Sequence, residues 1–394
     1  MSSRKKRKGS APFSSHNRVE LIQGGREYFD RLIQLIEGAR ESVHLQTYIF
    51  CDDETGNEVA GALINAAEKN VKVNLVVDGY ASQALSSAFI SKLKSAGIEF
   101  RFFEPILKTR NYYFGRRLHH KMAVFDGRAA LVGGINISNN YNQLPGEKAW
   151  FDFALFVEGE VAIDLCILCW KTWFGFSRGM AITPCEEKRI HFDINPSERS
   201  FVRMRRNDWV RSKNEISKSY LEIFRHAKSR IIIVSSYFLP GEEFKKRMRA
   251  AVRRGVRIKL VLTRSSDVYI AKQAERHMYR WLLKNNMEIY EFKPSVLHAK
   301  LAICDEEWMT LGSYNVNNIS AFASIELNLD VKNERFVSGV REMIERIISE
   351  DCERVTERDF AAHNGFFSRL WQEACSICVR TLFFLFTFYF KQKE

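Results

Sequence analysis

Two stretches of the chain hold the same reactive side chains at the same spacing. Leu118 to Asn136 reads LHHKMAVFDGRAALVGGIN, and Leu297 to Asn315 reads LHAKLAICDEEWMTLGSYN. His119 pairs with His298, Lys121 with Lys300, Asp126 with Asp305, Gly133 with Gly312 and Asn136 with Asn315, each pair 179 positions apart. Five identities at one offset mark an internal duplication. An imidazole beside an ammonium group suits a phosphate: one is a nucleophile or proton carrier, the other a fixed cation. In an extended strand residues two apart share a face, so His119 and Lys121 point the same way, as do His298 and Lys300. One such pair is half a site. Two related halves facing each other would bring both pairs onto one phosphate.

The elements that must position these side chains alternate between helix and strand. In the first half the patterning predicts helices over 26–40, 56–70, 89–96 and 162–176, with residues 17–25 leading into the first of them. Strands are predicted over 42–50, 71–78, 98–103 and 150–159, and each motif reads as strand, turn, strand. The second half repeats the plan. Helices are predicted over 213–227 and 244–254, and strands over 230–237 and 256–262. GEEFKKRMRAAVRRGVRIKLVL follows the layout of GNEVAGALINAAEKNVKVNLVV at an offset of 185, so the duplication extends beyond the motifs. The fold class expected is α/β: two duplicated halves, each a mixed β-sheet flanked by helices, joined as a pseudo-twofold pair with the active site at their interface. The expected organisation is a basic arm over 1–16, a first half over 17–185, a second half over 186–350, and a C-terminal apolar or amphipathic segment over 351–394.

With 394 residues and 46% hydrophobic content the chain can build a sizeable core in each half. Its net charge of +13 is concentrated. Residues 199–259 hold 18 Lys and Arg against five Asp and Glu, so the remainder sums to zero. A basic surface faces either an anionic membrane or nucleic acid, and charge alone does not separate them. The arm carries Arg4, Lys5, Lys6, Arg7 and Lys8 with no apolar core after them, which reads as a lipid-touching arm or a solvated tail rather than a secretory signal. Residues 104–117, EPILKTRNYYFGRR, mix rings and cations just before His119 and read as a substrate-entry loop. Two of the eight cysteines' spacings are C-x-x-C, Cys166/Cys169 and Cys375/Cys378, without the glycine-rich knuckles of zinc sites. The cysteine pattern suits a reducing compartment with no obligatory disulfide. Residues 366–390 are rich in Phe, but Arg369 and Arg380 interrupt them, which reads as a membrane-surface or partly inserted helix, not a span.

The double motif resembles the phospholipase D superfamily, whose signature is this His/Lys/Asp pattern followed by Gly-Ser-x-Asn. The first copy departs from it, with Gly134 where the second has Ser313. The segments YIFCDDETGNEV, VVDGYAS, YFLPGEEF, RRGVRIKL and SIELNLDV are similar to the bacterial cardiolipin synthases of the short type, over roughly residues 17–350. The resemblance implies metal-independent phosphatidyl transfer without a cofactor. One histidine, His119, attacks phosphorus and forms a phosphohistidine, while His298 serves as the acid. Lys121, Lys300, Asn136, Asn315 and Ser313 would hold the phosphate, and Asp126 and Asp305 complete the catalytic set as supports that order the site. It further implies that an acidic residue about 30 positions after each motif histidine bonds to that histidine. Asp152 follows His119 by 33 and Glu326 follows His298 by 28. The expected partners are anionic phospholipid (phosphatidylglycerol, cardiolipin) and a membrane surface, with nucleic acid disfavoured. The expected location is peripheral or monotopic on the cell membrane, on its cytoplasmic side. Hydrolysis of phospholipid and cleavage of a nucleic acid phosphodiester stand as the competing activities.

Overall fold

The computed structural model describes residues 12–104, 116–176, 184–187, 190–211, 213–317 and 324–391. Most of the basic arm and of the ring-and-cation loop before His119 lie outside the described residues. The first half runs β1 (Ser14–Gln23), α1 (Arg26–Gly38), β2 (Ser42–Thr47), α2 (Glu54–Glu68), β3 (Lys72–Asp78), α3 (Ser87–Ser95), β4 (Glu99–Phe103), β5 (Arg117–Leu118), β6 (Met122–Phe125), β7 (Ala129–Gly133), β8 (Phe153–Gly159) and α4 (Glu160–Trp173). A single turn, α5 (Pro184–Glu187), precedes the second half: β9 (Ser200–Asp208), β10 (Lys213–Asn214), α6 (Glu215–His226), β11 (Arg230–Ser235), α7 (Glu242–Arg253), β12 (Arg257–Thr263), α8 (Tyr269–Lys284), β13 (Glu288–Phe292), β14 (Leu301–Cys304), β15 (Trp308–Gly312), β16 (Ser324–Lys332), α9 (Glu334–Asp351) and β17 (Cys352–Val355). Helices α10 (Glu357–His363) and α11 (Phe366–Lys391) follow.

Both halves build the same sheet. In the first, β2, β3 and β4 run parallel, and β6, β7, β8 and β1 continue from β2 antiparallel. In the second, β11, β12 and β13 run parallel, and β14, β15, β16 and β9 continue antiparallel. The sheets are linked where β1 meets β9, at Ser14↔Val202 and Asn17↔Ser200. Alternation along each strand decides which core it feeds. Met122 and Val124 enter a central cluster with Leu301, Ile303, Leu311 and Leu327 of the other half. Their neighbours Ala123 and Phe125 pack outward against α1 and α2, and Ala302 and Cys304 pack outward against α6 and α7. The helix-flanked mixed sheets are as expected, and the two halves bury one shared core between them.

Four readings need amendment. Residues 17–25 lead into α1 as expected, but they do so as a strand that the patterning did not show: Ser14–Gln23 pairs along β8. The second half does not end at residue 350, because Cys352–Val355 pairs with β13 and completes that sheet. The cysteines are not all free thiols, since Cys166 is joined to Cys185. The basic run 199–259 is not one open cationic face. Arg203 and Arg205 are buried on Asp330, and Lys245, Arg247 and Lys259 pair with Glu242, Glu243 and Glu345.

Candidate active site

Each motif histidine is held at the backbone by the opposite half. The short strand β5 runs beside the start of β16, and His119 N–H donates to Ile325 O at 3.0 Å. In the mirror arrangement Leu297 bridges to Phe151, and His298 N–H donates to Phe151 O at 2.7 Å. The residue before each histidine is fixed from its own half: Leu118 N–H donates to Asp78 Oδ2 at 2.8 Å, and Leu297 N–H to Thr263 Oγ1 at 3.2 Å. Asp78 ends β3 and Thr263 ends β12, which are equivalent strands.

This stitching decides the carboxylates. Glu326 follows Ile325, so its side chain meets His119, with Oε2 2.9 Å from Nδ1. Asp152 follows Phe151, so it meets His298, with Oδ2 2.7 Å from Nδ1. The pairing expected within each half is therefore wrong. Asp152 serves the second histidine and Glu326 the first, because β8 and β16 lie at the seam and each motif crosses it. Both carboxylates are almost fully buried. Burial pushes Asp152 up to about 7, against the pull of Lys300.

The two halves differ around these carboxylates. Ser313 Oγ–H donates to Glu326 Oε2 at 2.5 Å and accepts Leu327 N–H at 3.0 Å. In the first half the equivalent residue is Gly134, where a Cβ would stand 2.4 Å from Asp152 Oδ2. A shorter acid beside a glycine replaces a longer acid beside a serine, and the carboxylate itself fills the space of the missing hydroxymethyl group.

Lys121 and Lys300 are 2% and 1% exposed. Lys121 Nζ donates to His119 O at 3.0 Å and lies 5.0 Å from the centre of the Tyr48 ring. Lys300 Nζ donates to His298 O and lies 3.0 Å from its Nδ1. Burial lowers Lys121 to about 7 and Lys300 to about 8, and the charge of Lys300 depresses Lys121 further. Burial also lowers both imidazoles. For His119 the partner Glu326 opposes the shift, and for His298 the charges of Lys300 and Lys121 add to it. Two ammonium groups thus share a buried space whose carboxylates are engaged by histidines. Such a site favours an anion that supplies the missing charge.

The remaining expected residues divide. Asn315 Oδ1 accepts Ser236 Oγ–H at 2.8 Å, and its NH₂ has no hydrogen-bond partner among the described residues. Asn136 accepts Ile49 N–H at 3.1 Å and donates one N–H to the Tyr141 hydroxyl at 2.9 Å, which leaves its second N–H. Asp126 and Asp305 are not among the reacting groups. Five residues of extended chain separate each from its lysine, roughly 16 Å. Asp126 accepts the N–H groups of Arg40, Glu41 and Ser42, and Asp305 those of Lys228, Ser229 and Arg230. They pin the starts of β2 and β11 at the far end of the motif strands. Tyr141 and Trp150 were not foreseen, yet both rings pack on His298, at 5.1 and 5.8 Å between centroids. The ring-bearing turn after Asn136 has no periodicity that would have singled them out.

A family model described as cardiolipin synthase, PLD-like domain, matches the chain at residues 32–154 and 220–348, once in each half. The chain is 34% identical over 349 residues to cardiolipin synthase B of Salmonella typhi, covering 86% of this chain and 83% of that one. It is 31% identical over 344 residues to cardiolipin synthase B of Escherichia coli strain K12, with the same coverage. Cardiolipin synthase 1 of Bacillus cereus is 29% identical over 360 residues, 89% of this chain and 69% of that one. Among solved structures, phosphatidylserine synthase of Haemophilus influenzae Rd KW20 superposes with a TM-score of 0.75 at 14% identity, covering 95% and 96% of the two chains, which supports the fold.

Proposed function

The chain belongs to the cardiolipin synthase family of phospholipase D-like proteins, and from that premise we propose that it transfers a phosphatidyl group from one phosphatidylglycerol to another, giving cardiolipin and glycerol. The observation that carries the reading is the crossed pair of histidine–carboxylate contacts beside two buried lysines short of an anion. His119 attacks phosphorus through Nε2, and the bond to the first glycerol breaks. Glu326 accepts from Nδ1 and stabilises the charge that grows on the ring. His298, oriented by Asp152, gives its proton to the leaving glycerol oxygen. Lys121, Lys300 and the Asn315 NH₂ hold the non-bridging oxygens. A hydroxyl of the second phosphatidylglycerol then gives its proton to His298 and attacks the phosphohistidine.

We also propose that the protein sits on the membrane as a peripheral enzyme. No helix among the described residues is long and apolar enough to cross a membrane. On α11, Gln372, Cys375, Ser376 and Val379 are buried, with Cys375 and Val379 packed on Ala274 of α8. Phe366, Phe367, Leu370, Trp371 and Ile377 are exposed on the remaining surface. Phe366 and Leu370 are four apart, as are Phe367 and Trp371, and Ile377 lies two turns beyond Leu370, so they form one apolar stripe suited to the headgroup boundary of a bilayer.

The test is a product assay with labelled phosphatidylglycerol in vesicles containing chelator. Cardiolipin together with free glycerol is the expected outcome. Phosphatidic acid alone would replace transferase by hydrolase, and the absence of any lipid product would turn the search to other phosphodiesters such as oligonucleotides.

A further inference from the structure

Tyr141 lies in the turn between β7 and β8 and is 2% exposed. Its hydroxyl oxygen stands 3.3 Å from His298 Nε2 and 2.9 Å from Asn136 Nδ2. The neighbours set the direction of each proton. Asn136 Oδ1 accepts Ile49 N–H, so the amide turns its NH₂ towards Tyr141 and donates to the phenol oxygen. An amide nitrogen cannot accept, which leaves the single phenolic proton for Nε2. On the other side of the ring, Nδ1 faces Asp152 Oδ2 at 2.7 Å, with Lys300 Nζ at 3.0 Å. Burial keeps the phenol protonated, and the Asp152 charge adds to that effect. Trp150 packs against both rings and fixes their relation, at 5.2 Å from Tyr141 and 5.8 Å from His298.

His119 is different. Its Nδ1 meets Glu326 in the same way, but its Nε2 has no partner among the described residues. One histidine is open to attack phosphorus. The other has its only exchangeable nitrogen already covered by a hydroxyl. Any proton that His298 exchanges with an alcohol must pass the place Tyr141 occupies.

We propose that the Tyr141 hydroxyl carries the proton between His298 and the alcohols of the reaction, which makes it a catalytic residue. The proposal rests on the reading that His119 is the nucleophile and His298 the acid and base. In the first half-reaction the bond from His119 Nε2 to phosphorus forms as the bond from phosphorus to the glycerol oxygen breaks. The Nε2 proton of His298 passes to the Tyr141 oxygen, and the Tyr141 proton passes to the departing oxygen. Glycerol leaves neutral, His298 is left neutral, and the phenol is unchanged. In the second half-reaction the incoming hydroxyl oxygen bonds to phosphorus as the bond to His119 breaks. Its proton goes to Tyr141, whose own proton returns to His298. The phenol oxygen can accept from Asn136 and from His298 while donating to the alcohol, so no hydrogen bond is lost at either stage.

The experiment compares two donors in the full chain: phosphatidylglycerol, and a phosphatidyl ester of p-nitrophenol, whose leaving group departs without a proton. In Tyr141→Phe, first-turnover release of glycerol falls about 100-fold, while the burst of p-nitrophenol falls less than about threefold. An equal loss on both donors would make Tyr141 a ring support only, and unchanged glycerol release would remove it from the reaction. Asn136→Leu, which removes the amide that orients the phenol, gives the same selective loss and serves as the test if the Phe variant does not fold. Failure of the underlying reading shows separately: wild-type protein would then make no cardiolipin, or the quenched phosphoryl adduct would map to His298.

Discussion

At the scale of single residues, the site is built from groups whose charge costs free energy until substrate arrives. Lys121 near 7 and Lys300 near 8 are protonated below those values and lose their charge as pH rises through them. The phosphodiester restores the missing negative charge and raises both, so binding takes up protons. The kcat/KM for phosphatidylglycerol is therefore expected to fall as pH rises past about 7 to 8, chiefly through KM. Lys121→Arg, whose charge does not titrate in this range, moves the alkaline limb upward. A limb that stays in place in that variant would assign it to another group. The carboxylates give a second check. Asp152→Asn and Glu326→Gln keep the shapes but lose the charge that fixes each imidazole, so kcat falls by about 10²- to 10⁴-fold in each. The crossed pairing makes a sharper demand: Asp152→Asn changes the titration of His298, read by NMR, and leaves that of His119 little altered.

At the scale of elements, the motif strands were legible because alternation and the repeated reactive residues coincide. Met122 to Phe125 and Leu301 to Cys304 are strands with one face on the central core and one on the helices. The helices α1, α2, α6 and α7 announced themselves by their apolar faces, and their bounds fall within a few residues of those expected. What stayed hidden depends on contacts far apart in sequence. No local pattern states that Asp152 crosses to His298, because a 33-residue spacing to His119 is equally compatible with either partner. Nor does one state that Asn136 bonds to Ile49 and Tyr141. The strand β1 was missed because its neighbour β8 lies more than a hundred residues away. Helix α11 makes an element-level prediction. Trp371→Glu together with Leu370→Glu places two charges on its exposed stripe and leaves the buried Cys375 and Val379 contacts intact. Binding to anionic vesicles is expected to drop about tenfold or more, with activity on detergent-dispersed substrate retained. Unchanged vesicle binding would assign the membrane contact to another surface.

At the scale of the whole molecule, the halves are two copies of one plan that do not function as two units. The central cluster takes side chains from β6, β7 and β8 on one side and β14, β15 and β16 on the other, and α4 and α9 close it. Leu327 is fully buried there, one residue from the acid that orients His119. Leu327→Ala is expected to cost about 2–5 kcal/mol. Denaturant unfolding is expected to remain a single transition for residues on both sides of the seam, followed by probes placed in each half. Separate transitions for the two halves would show that each core stands alone.

The crossing also sets a timetable for synthesis. His119 leaves the ribosome early, but Glu326, the acid that orients it, lies 207 residues further along. At elongation rates of roughly 5–20 residues per second, that gap lasts on the order of ten to forty seconds. His298 in turn waits for a fold that already contains Asp152. A nascent or truncated chain therefore carries the motif histidines and lysines without the acids that orient them.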